Sequence, residues 1–387
     1  MKTSAFLYPW DVVGDPDAAA RIADLGVQQV TLAAAYHSTR ALTPRHPRHR
    51  IVTAEHAAVL YELDEERWAG RELRPYAAGD WAPRDAYSQA AAALADAGID
   101  VHSWVVLAHN SRLGAERPDL SAVNAYGDRY PWAPCIAQPA VCSYLVELAA
   151  EAAARPGALG TELESCGWYG LAHLHAHDKI AGVGLGDAAQ YLMSLCFCSA
   201  CREEYGQRGV EPHLLAAAVR GALEPVWAGT ASPDAGIEKL LGAELTAATL
   251  DFRTRAARTL QESTVAAVRA AAPEGFQVLL HADPVAYHCG ANAGVDPAHV
   301  LAVADGVVVP CTGGAQLLKP FRDRRSEGSV LAANFTVVSG MGGSPGTLAE
   351  DAAGAAALGA NELRLYHAGL ASDGDLAAVA RALSRVG

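Results

Sequence analysis

The chain has 387 residues, of which 51% are hydrophobic and 19% charged, and its formal net charge is −13. This composition supplies a large hydrophobic core, and no segment is apolar over the ~20 residues that a membrane-spanning helix needs. The negative charge repels nucleic-acid phosphates, so we expect neither a nucleic acid nor a membrane as a partner. The first residues do not resemble a secretory signal, which predicts a cytoplasmic protein.

Eight short hydrophobic segments alternate with alanine-rich helical segments, a pattern typical of parallel β-α units. Several of the predicted helices end at a glycine that leads into the next strand. The predicted strands, one to eight in chain order, are Ala5–Tyr8, Gln28–Ala33, Val101–Leu107, Leu159–Glu164, Gln277–His281, Gly306–Val309, Val330–Phe335 and Glu362–Tyr366.

Eight such units predict a closed (β/α)8 TIM barrel that forms a single domain over residues 1–387. A doubly wound dinucleotide-binding sheet would have a glycine-rich turn after its first strand, and this sequence has none there. Long insertions follow strand two, over residues 37–82, and strand four, over residues 165–235. Because each insertion follows a strand and precedes a helix, both lie at the C-terminal face of the barrel, where such folds carry their active sites.

Strand four carries two glutamates, Glu162 and Glu164, whose side chains point toward the barrel axis because they are two residues apart. Burial of two like charges raises the pKa of one carboxyl group or requires a cationic partner. A carboxyl group with a raised pKa can act as a general acid near neutral pH. The alternative is a structural ion pair with Arg364 on strand eight.

Strand five repeats this arrangement, since His281 and Asp283 point inward and Asp283 then neighbours Glu164. Two carboxylates beside a cleft are the minimum for cleaving a glycosidic bond, because one protonates the leaving oxygen and the other attacks or activates water. The predicted catalytic residues are therefore Glu164, Glu162 and Asp283. Capping of the turn before Pro284 is the alternative role for Asp283.

Aromatic and polar residues follow most of the other predicted strands. Aromatic faces pack against pyranose rings, while amides, imidazoles and acids bind the hydroxyl groups, so this placement predicts a pocket for a sugar. The alternative for each aromatic residue is simple core packing. The predicted substrate-binding residues are Tyr8, Trp10, Asp11, Tyr36, His37, His109, Asn110, Trp168, His281, Asn334 and Tyr366, with Tyr169 and His367 beside two of them.

The motif Cys196-Phe197-Cys198-Ser199-Ala200-Cys201 places three thiols where they can surround one tetrahedral cation. It predicts a structural Zn²⁺ site and no organic cofactor. The run of His173, His175 and His177 is a second candidate, which can hold a catalytic metal ion alone or with His281. This run has no HExxH frame, which favours a solvated or substrate-contacting loop.

The segment NAYGDRYPWAPCIAQPAVC, followed by the strand-four glutamates and CFCSAC, resembles family-42 β-galactosidases and related barrel glycosidases. In that family a Gly-x-Arg run precedes a Cys closely followed by Pro, then the acid/base Glu, then a zinc-binding Cys-x-Cys-x-x-Cys cluster. The resemblance implies that Glu164 is the acid/base and Cys135 the fourth metal ligand, with Cys142 and Cys166 as alternatives. The matching positions are Gly127, Arg129, Cys135, Pro139, Glu164, Cys196, Cys198 and Cys201.

Three features depart from that family. Leu163 stands where the family has an Asn before its acid/base, and Asn334 stands where the family's nucleophilic Glu ends strand seven. The cysteine triplet is farther from Glu164 than the corresponding triplet is from the acid/base in the family.

The predicted function is an intracellular glycoside hydrolase for a small glycoside or short oligosaccharide, with Glu164 as acid and Asp283 or Glu162 as its partner. The alternatives are a metal-dependent hydrolase, lyase or isomerase, and a sugar-binding barrel without catalysis. The oligomeric state is left open, with a homo-oligomer among the expectations.

Overall fold

Eight parallel strands pair in chain order and close into a barrel, because strand one pairs with both strand two and strand eight. The computed structural model describes residues 1–171, 178–232 and 234–386. The predicted (β/α)8 barrel is confirmed, and each predicted strand overlaps an observed one. The barrel strands, one to eight, are Lys2–Leu7, Gln29–Tyr36, Asp100–Val106, Ala158–Glu164, Gln277–Asp283, Gly306–Pro310, Val330–Thr336 and Glu362–Tyr366.

Helices surround the barrel and cover the outward side chains of its strands, such as Leu163 and Leu280. Their alanine-rich sequences favour helix formation. The helix after strand five also has Pro297 in its first turn and Asp296 as N-cap, whose carboxylate accepts two backbone N–H groups. The surrounding helices, in order, are Ala18–Ala23, Ala86–Asp96, Pro139–Ala153, Ala243–Ala271, Pro297–Val303, Lys319–Arg322, Leu348–Ala357 and Asp373–Val386. Among the described residues, no helix is both long and apolar enough to cross a membrane.

The two predicted insertions leave the barrel at the C-terminal ends of strands two and four. After strand two come the hairpin Thr39–Leu42 and Ile51–Ala54, the short strand Ala58–Val59 and the helix Glu65–Trp68. After strand four come the helices Asp187–Met193, Ser199–Gln207, Pro212–Trp227 and Ile237–Leu241.

A third excursion, after strand three, was not predicted. It consists of the helix Ser111–Glu116 and a hairpin of Ser121–Val123 and Arg129–Pro134. Its first strand has only three residues, which is too short to show an alternating pattern. The excursion lies beside the insertion after strand four, since the Phe197 backbone N–H donates to the Val123 carbonyl at 2.6 Å.

The interior of the barrel is layered. An apolar layer that includes Leu279 and Val308 lies at the N-terminal end, and an aromatic layer that includes Phe6, Tyr8 and Trp104 lies at the C-terminal end. Charged and polar side chains of strands four, five and eight are buried between these layers. Buried charges must be paired, so this middle layer requires its own partners.

Glu162 and Arg364 supply that pairing, and neither residue is exposed to solvent. Arg364 Nε donates to Glu162 Oε1 at 2.5 Å, the Thr31 hydroxyl donates to the same oxygen at 3.0 Å, and His281 Nε2 lies 3.3 Å from Oε2.

Burial raises the pKa of Glu162, but the charge of Arg364 and the hydrogen bond from His281 outweigh it and lower this pKa to about 2. Glu162 is therefore ionised at neutral pH. Its favourable contribution to stability is complete above a pH of about 4.5 and is lost as the pH falls toward 2.

We expect Glu162→Gln to lower the free energy of unfolding by up to about 3–5 kcal/mol, because it removes the fully buried one of the two carboxylates that pair with Arg364, the other being Glu362 at 2.9 Å. Denaturant unfolding measures this change. The double variant Glu162→Gln/Arg364→Met should recover part of the loss, since it removes both fully buried charges and leaves only Glu362, whose side chain is 12% exposed, without its partner. Asp100→Asn serves as the control, because it breaks the partly exposed Lys2–Asp100 ion pair and should cost no more than about 1 kcal/mol. An equally small effect of Glu162→Gln would contradict the structural role of the buried pair.

Candidate active site

A cavity of about 830 Å³ opens at the C-terminal end of the barrel. Its volume lies in the range of pockets that bind small molecules. Residues that follow strands from all around the barrel line it, as expected for the functional face of this fold. The predicted site residues that line the cavity are Tyr8, Tyr36, His37, His109, Glu164, Asp283 and Tyr366, together with Tyr169.

Glu164 is the last residue of strand four and is 8% exposed at the cavity wall. The indole N–H of Trp104 donates to Glu164 Oε2 at 2.8 Å. Trp104 is itself fully buried, and its ring is held edge-on to Phe6 and Tyr36 at centroid distances of 4.8 and 4.6 Å. The carboxyl group of Glu164 is therefore held in one orientation by a rigid donor.

Asp283 ends strand five, and its side chain is 14% exposed. Its Oδ1 accepts the Val285 backbone N–H at 2.8 Å, as the turn-capping alternative requires, while its Oδ2 lies 3.0 Å from His288 Nδ1. His288 Nε2 lies 3.4 Å from Asp187 Oδ2 on the other side of the ring. The hydrogen bond to Asp283 is the main cause that raises the pKa of His288. Asp283 thus caps a turn and also presents a carboxylate to the cavity.

His288 and Asp187 also line the cavity, and sequence reasoning missed both. His288 follows strand five in the segment HADPVAYHCG, so the rule that identified polar residues after the other strands could have found it. Asp187 begins a helix deep inside an insertion, where no strand indicates its position.

A row of stacked rings forms the wall after strands two to four. The ring centroids of Tyr36 and His37 are 4.2 Å apart, those of His37 and His109 are 4.5 Å apart, and those of His109 and Tyr169 are 4.7 Å apart.

Burial lowers the pKa of His37, against the opposing effect of the nearby Glu164 charge. His37 is therefore neutral at pH 7. Its Nδ1 lies 2.8 Å from the Ser38 carbonyl oxygen and so carries the proton, which makes Nε2 a hydrogen-bond acceptor.

Three of the predicted substrate-binding residues support the cavity wall from behind. Trp10 lies beneath Tyr8, with ring centroids 4.6 Å apart. Asp11 Oδ2 accepts the Tyr8 backbone N–H at 2.8 Å, and burial raises the pKa of Asp11 to about 7. His281 contacts Glu162 below the cavity. None of the three lines the cavity.

Three further predicted residues also lie away from the cavity wall. Asn110 caps the helix Ser111–Glu116, and its side-chain oxygen accepts the Leu113 N–H at 3.0 Å. The indole of Trp168 donates to the Arg253 carbonyl at 2.8 Å. Asn334 is half-buried within strand seven.

Glu162 also lies outside the cavity lining, in its ion pair with Arg364. This geometry corresponds to the alternative given for Glu162 in the sequence analysis, a structural ion pair with Arg364. The histidines His173, His175 and His177 lie outside the described residues.

Four cysteines lie together beside the barrel. The sulfur atoms of Cys135, Cys196, Cys198 and Cys201 are buried and all lie within 4.8 Å of one another. Cys135 Sγ lies 3.5 Å from Cys201 Sγ and 3.6 Å from Cys198 Sγ. Metal–sulfur bonds of ~2.3 Å in a tetrahedron place the sulfurs roughly 3.8 Å apart, so the four can hold a metal ion. They are the four residues proposed from the sequence, while Cys142 and Cys166 lie outside the cluster.

No family profile and no curated protein match the sequence, but solved structures do match the fold. The whole chain superimposes on α-L-fucosidase isoenzyme 2 from Paenibacillus thiaminolyticus, with a TM-score of 0.60 and 11% identity, and covers 49% of that chain. It also matches the β-amylase catalytic domain from Paenibacillus polymyxa over 100% of this chain and 98% of that chain, with a TM-score of 0.57 and 12% identity. The chain therefore shares its barrel fold with these two solved enzymes.

A GH42 β-galactosidase from G. stearothermophilus is a further structural neighbour, with a TM-score of 0.57 and 13% identity over 100% of this chain and 56% of that chain. The chain spans about half the length of the fucosidase and of this galactosidase. At these identities the likeness shows the fold alone. The case for a function therefore depends on the side chains of the cavity.

We expect the purified protein to contain one metal ion bound by the four cysteines. Cys198→Ser should remove most of this metal and lower the melting temperature, because one of four ligands is lost. Native mass spectrometry measures the metal content, and thermal unfolding measures the stability. Cys142→Ser is the matched control and should leave both unchanged. Metal-free wild-type protein with an unchanged melting temperature would contradict this prediction.

Proposed function

We propose that the protein is a glycoside hydrolase that cleaves a small glycoside or short oligosaccharide by carboxylate acid/base catalysis. The observation that carries this proposal is that Glu164 and Asp283, at the ends of neighbouring strands, line one cavity together with stacked aromatic rings. Such a pair is the equipment that acetal cleavage requires. The shared fold of solved glycosidases supports the same reaction class.

Glu164 is the general acid in this proposal. The Trp104 indole occupies one carboxyl oxygen, which leaves the other as the site that carries the proton. Glu164 donates that proton to the glycosidic oxygen as the bond to the anomeric carbon breaks, and the leaving group departs as a neutral alcohol.

Asp283 is the second carboxylate. Of the two partners considered for Glu164, only Asp283 lines the cavity, because Glu162 is held by Arg364. A hydrogen bond from His288 Nδ1 to Asp283 Oδ2 stabilises the negative charge of Asp283, as a nucleophile or base requires. The neutral His37 ring provides an acceptor for a sugar hydroxyl.

We further propose that the metal ion of the four-cysteine cluster is Zn²⁺ and that its role is structural. Four thiolates form a closed set of soft ligands, which suits zinc and leaves no coordination position for a substrate. The cluster does not line the cavity. All eight cysteines are free, which suits a reducing compartment and supports a cytoplasmic location.

A sugar-binding protein without catalysis is the second candidate function. It is favoured by Asn334 on strand seven, where related barrels place an acid. Metal-dependent catalysis has weaker support, because His281 is buried against Glu162 and, within the part of the chain that the structure describes, the four cysteines are the one group of three or more clustered metal-binding side chains.

We expect Glu164→Gln to lower kcat on glycosides with poor leaving groups by about 10²–10⁴-fold, because the amide cannot donate the required proton. Dinitrophenyl glycosides need little protonation of the leaving group, so their hydrolysis should fall far less. Steady-state kinetics on both substrate types tests this, with circular dichroism as the check of folding. Glu203→Gln, at an exposed surface position, is the control. Wild-type activity of Glu164→Gln on both substrate types would eliminate the assignment.

We expect Asp283→Ala to lose turnover, and sodium azide to restore it on a dinitrophenyl glycoside, since azide can occupy the space of the missing carboxylate and attack the anomeric carbon. The anomeric form of the glycosyl azide reports the face on which Asp283 lies. Product analysis by nuclear magnetic resonance identifies it. Failure of wild type to cleave any glycoside, combined with measurable sugar binding, would select the non-catalytic function instead.

A further inference from the structure

The cavity has two chemically different sides. One side follows strands four and five and carries Glu164 and Asp283. Strands eight and one lie across the barrel from this acidic side, because the eight strands are arranged in chain order. On that opposite side, apolar side chains come from the hairpin after strand two and from the loops after strands seven and eight. They are Leu42, Val338, Met341 and Leu370, which we call the apolar lip.

Two residues of the apolar lip are exposed to an unusual degree for their type. Leu42 is 53% exposed and Met341 is 49% exposed, and both line the cavity rather than the outer surface alone. Val338, at 8% exposure, anchors the same surface to the core. Exposed apolar groups that line a pocket gain free energy when a ligand covers them.

The cavity is also large enough for a second binding region. A volume of about 830 Å³ lies toward the upper end of the range for pockets that enclose drug-sized ligands, well above the space of one sugar ring. A ring bound between Glu164 and Asp283 therefore leaves room for the group attached through the glycosidic oxygen.

We propose that the apolar lip binds an apolar leaving group, so that the natural substrate is an alkyl or aryl glycoside rather than an oligosaccharide. This inference depends on the proposed glycosidase function. A second sugar would require polar partners for its hydroxyl groups, whereas the lip presents hydrocarbon. Arg40, on the same strand as Leu42, also lines the cavity, and its stem can lie along an apolar group while its guanidinium stays in water.

A substrate series tests the proposal. A panel of nitrophenyl glycosides first identifies the sugar that wild type cleaves, and methyl, butyl and hexyl glycosides of that sugar are then compared with a disaccharide. Each methylene that the lip covers should lower KM by up to about four-fold, the fold-change equivalent to ~0.8 kcal/mol. The disaccharide should have a lower kcat/KM than the hexyl glycoside. A KM that is independent of chain length, or a preferred disaccharide, overturns the proposal.

Variants of the hairpin provide a matched comparison. Leu42→Gln and Met341→Gln should each flatten the dependence of KM on chain length. Ile51 pairs with Leu42 across the hairpin and is 52% exposed, but it does not line the cavity. Ile51→Gln should therefore keep the wild-type dependence. If Leu42→Gln and Ile51→Gln instead both convert a dimer to a monomer and leave the dependence intact, the lip is an interface between copies and the proposal fails.

Binding measurements separate this proposal from the function on which it depends. Calorimetry on Glu164→Gln with methyl, butyl and hexyl galactosides and glucosides reports affinity without turnover. A Kd that falls with chain length supports the apolar lip even where wild type cleaves no glycoside, and in that case the hydrolase proposal alone fails. If wild type hydrolyses a glycoside but the Kd of Glu164→Gln is independent of chain length, the hydrolase proposal is supported. The proposal that the apolar lip binds the leaving group is then overturned.

Discussion

The buried ion pair between Glu162 and Arg364 is the interaction on which the rest of the site depends. It links strand four to strand eight through the interior of the barrel, with Arg364 Nε 2.5 Å from the Glu162 carboxylate. Side chains two residues apart on a strand point the same way, so each partner of the pair sets the direction of the residue two positions later. These residues are Glu164 and Tyr366, and both line the cavity. His281 repeats the relation on strand five, where it contacts Glu162 and precedes Asp283. A charged layer thus fixes the orientation of the layer that faces the cavity.

The aromatic layer above this pair orients the carboxyl group of Glu164. Trp104 is held among other rings, and its one polar atom is directed at Glu164. Rigid donors of this kind position a catalytic group without further cost when substrate binds. The four-cysteine cluster lies farther out, where the hairpin after strand three meets a helix of the insertion after strand four. A metal ion bound there would tie the loops around Glu164 together independently of the barrel core.

The sequence predicted the barrel, its strands and the two cavity carboxylates, because strand alternation decides which side chains point inward. Position along the strand placed Glu164 nearer the mouth than Glu162. It did not decide between an ion pair and a catalytic role for Glu162, nor show that His281 contacts Glu162 below the cavity. Residues directly after a strand were harder still. Asn110 caps a short helix that was not predicted from the sequence, and Trp168 donates a hydrogen bond to the backbone carbonyl of Arg253, which is distant in sequence. His288 was missed because it lies within the loop rather than at the strand end. The excursion after strand three was missed because the first strand of its hairpin, Ser121–Val123, has only three residues and shows no period.

The closure of strand one onto strand eight has a consequence for synthesis on the ribosome. Lys2–Leu7 is translated before the other barrel strands, yet one of its two neighbours, Glu362–Tyr366, is the last barrel strand to be translated. Until then one edge of the nascent sheet stays unpaired, and open edges invite association with other chains. The same delay applies to Glu162, whose guanidinium partner is translated with that last strand. Until strand eight is translated, the Glu162 carboxylate has no Arg364 with which to pair and is costly to bury. The barrel is therefore expected to close only when its last strand is available.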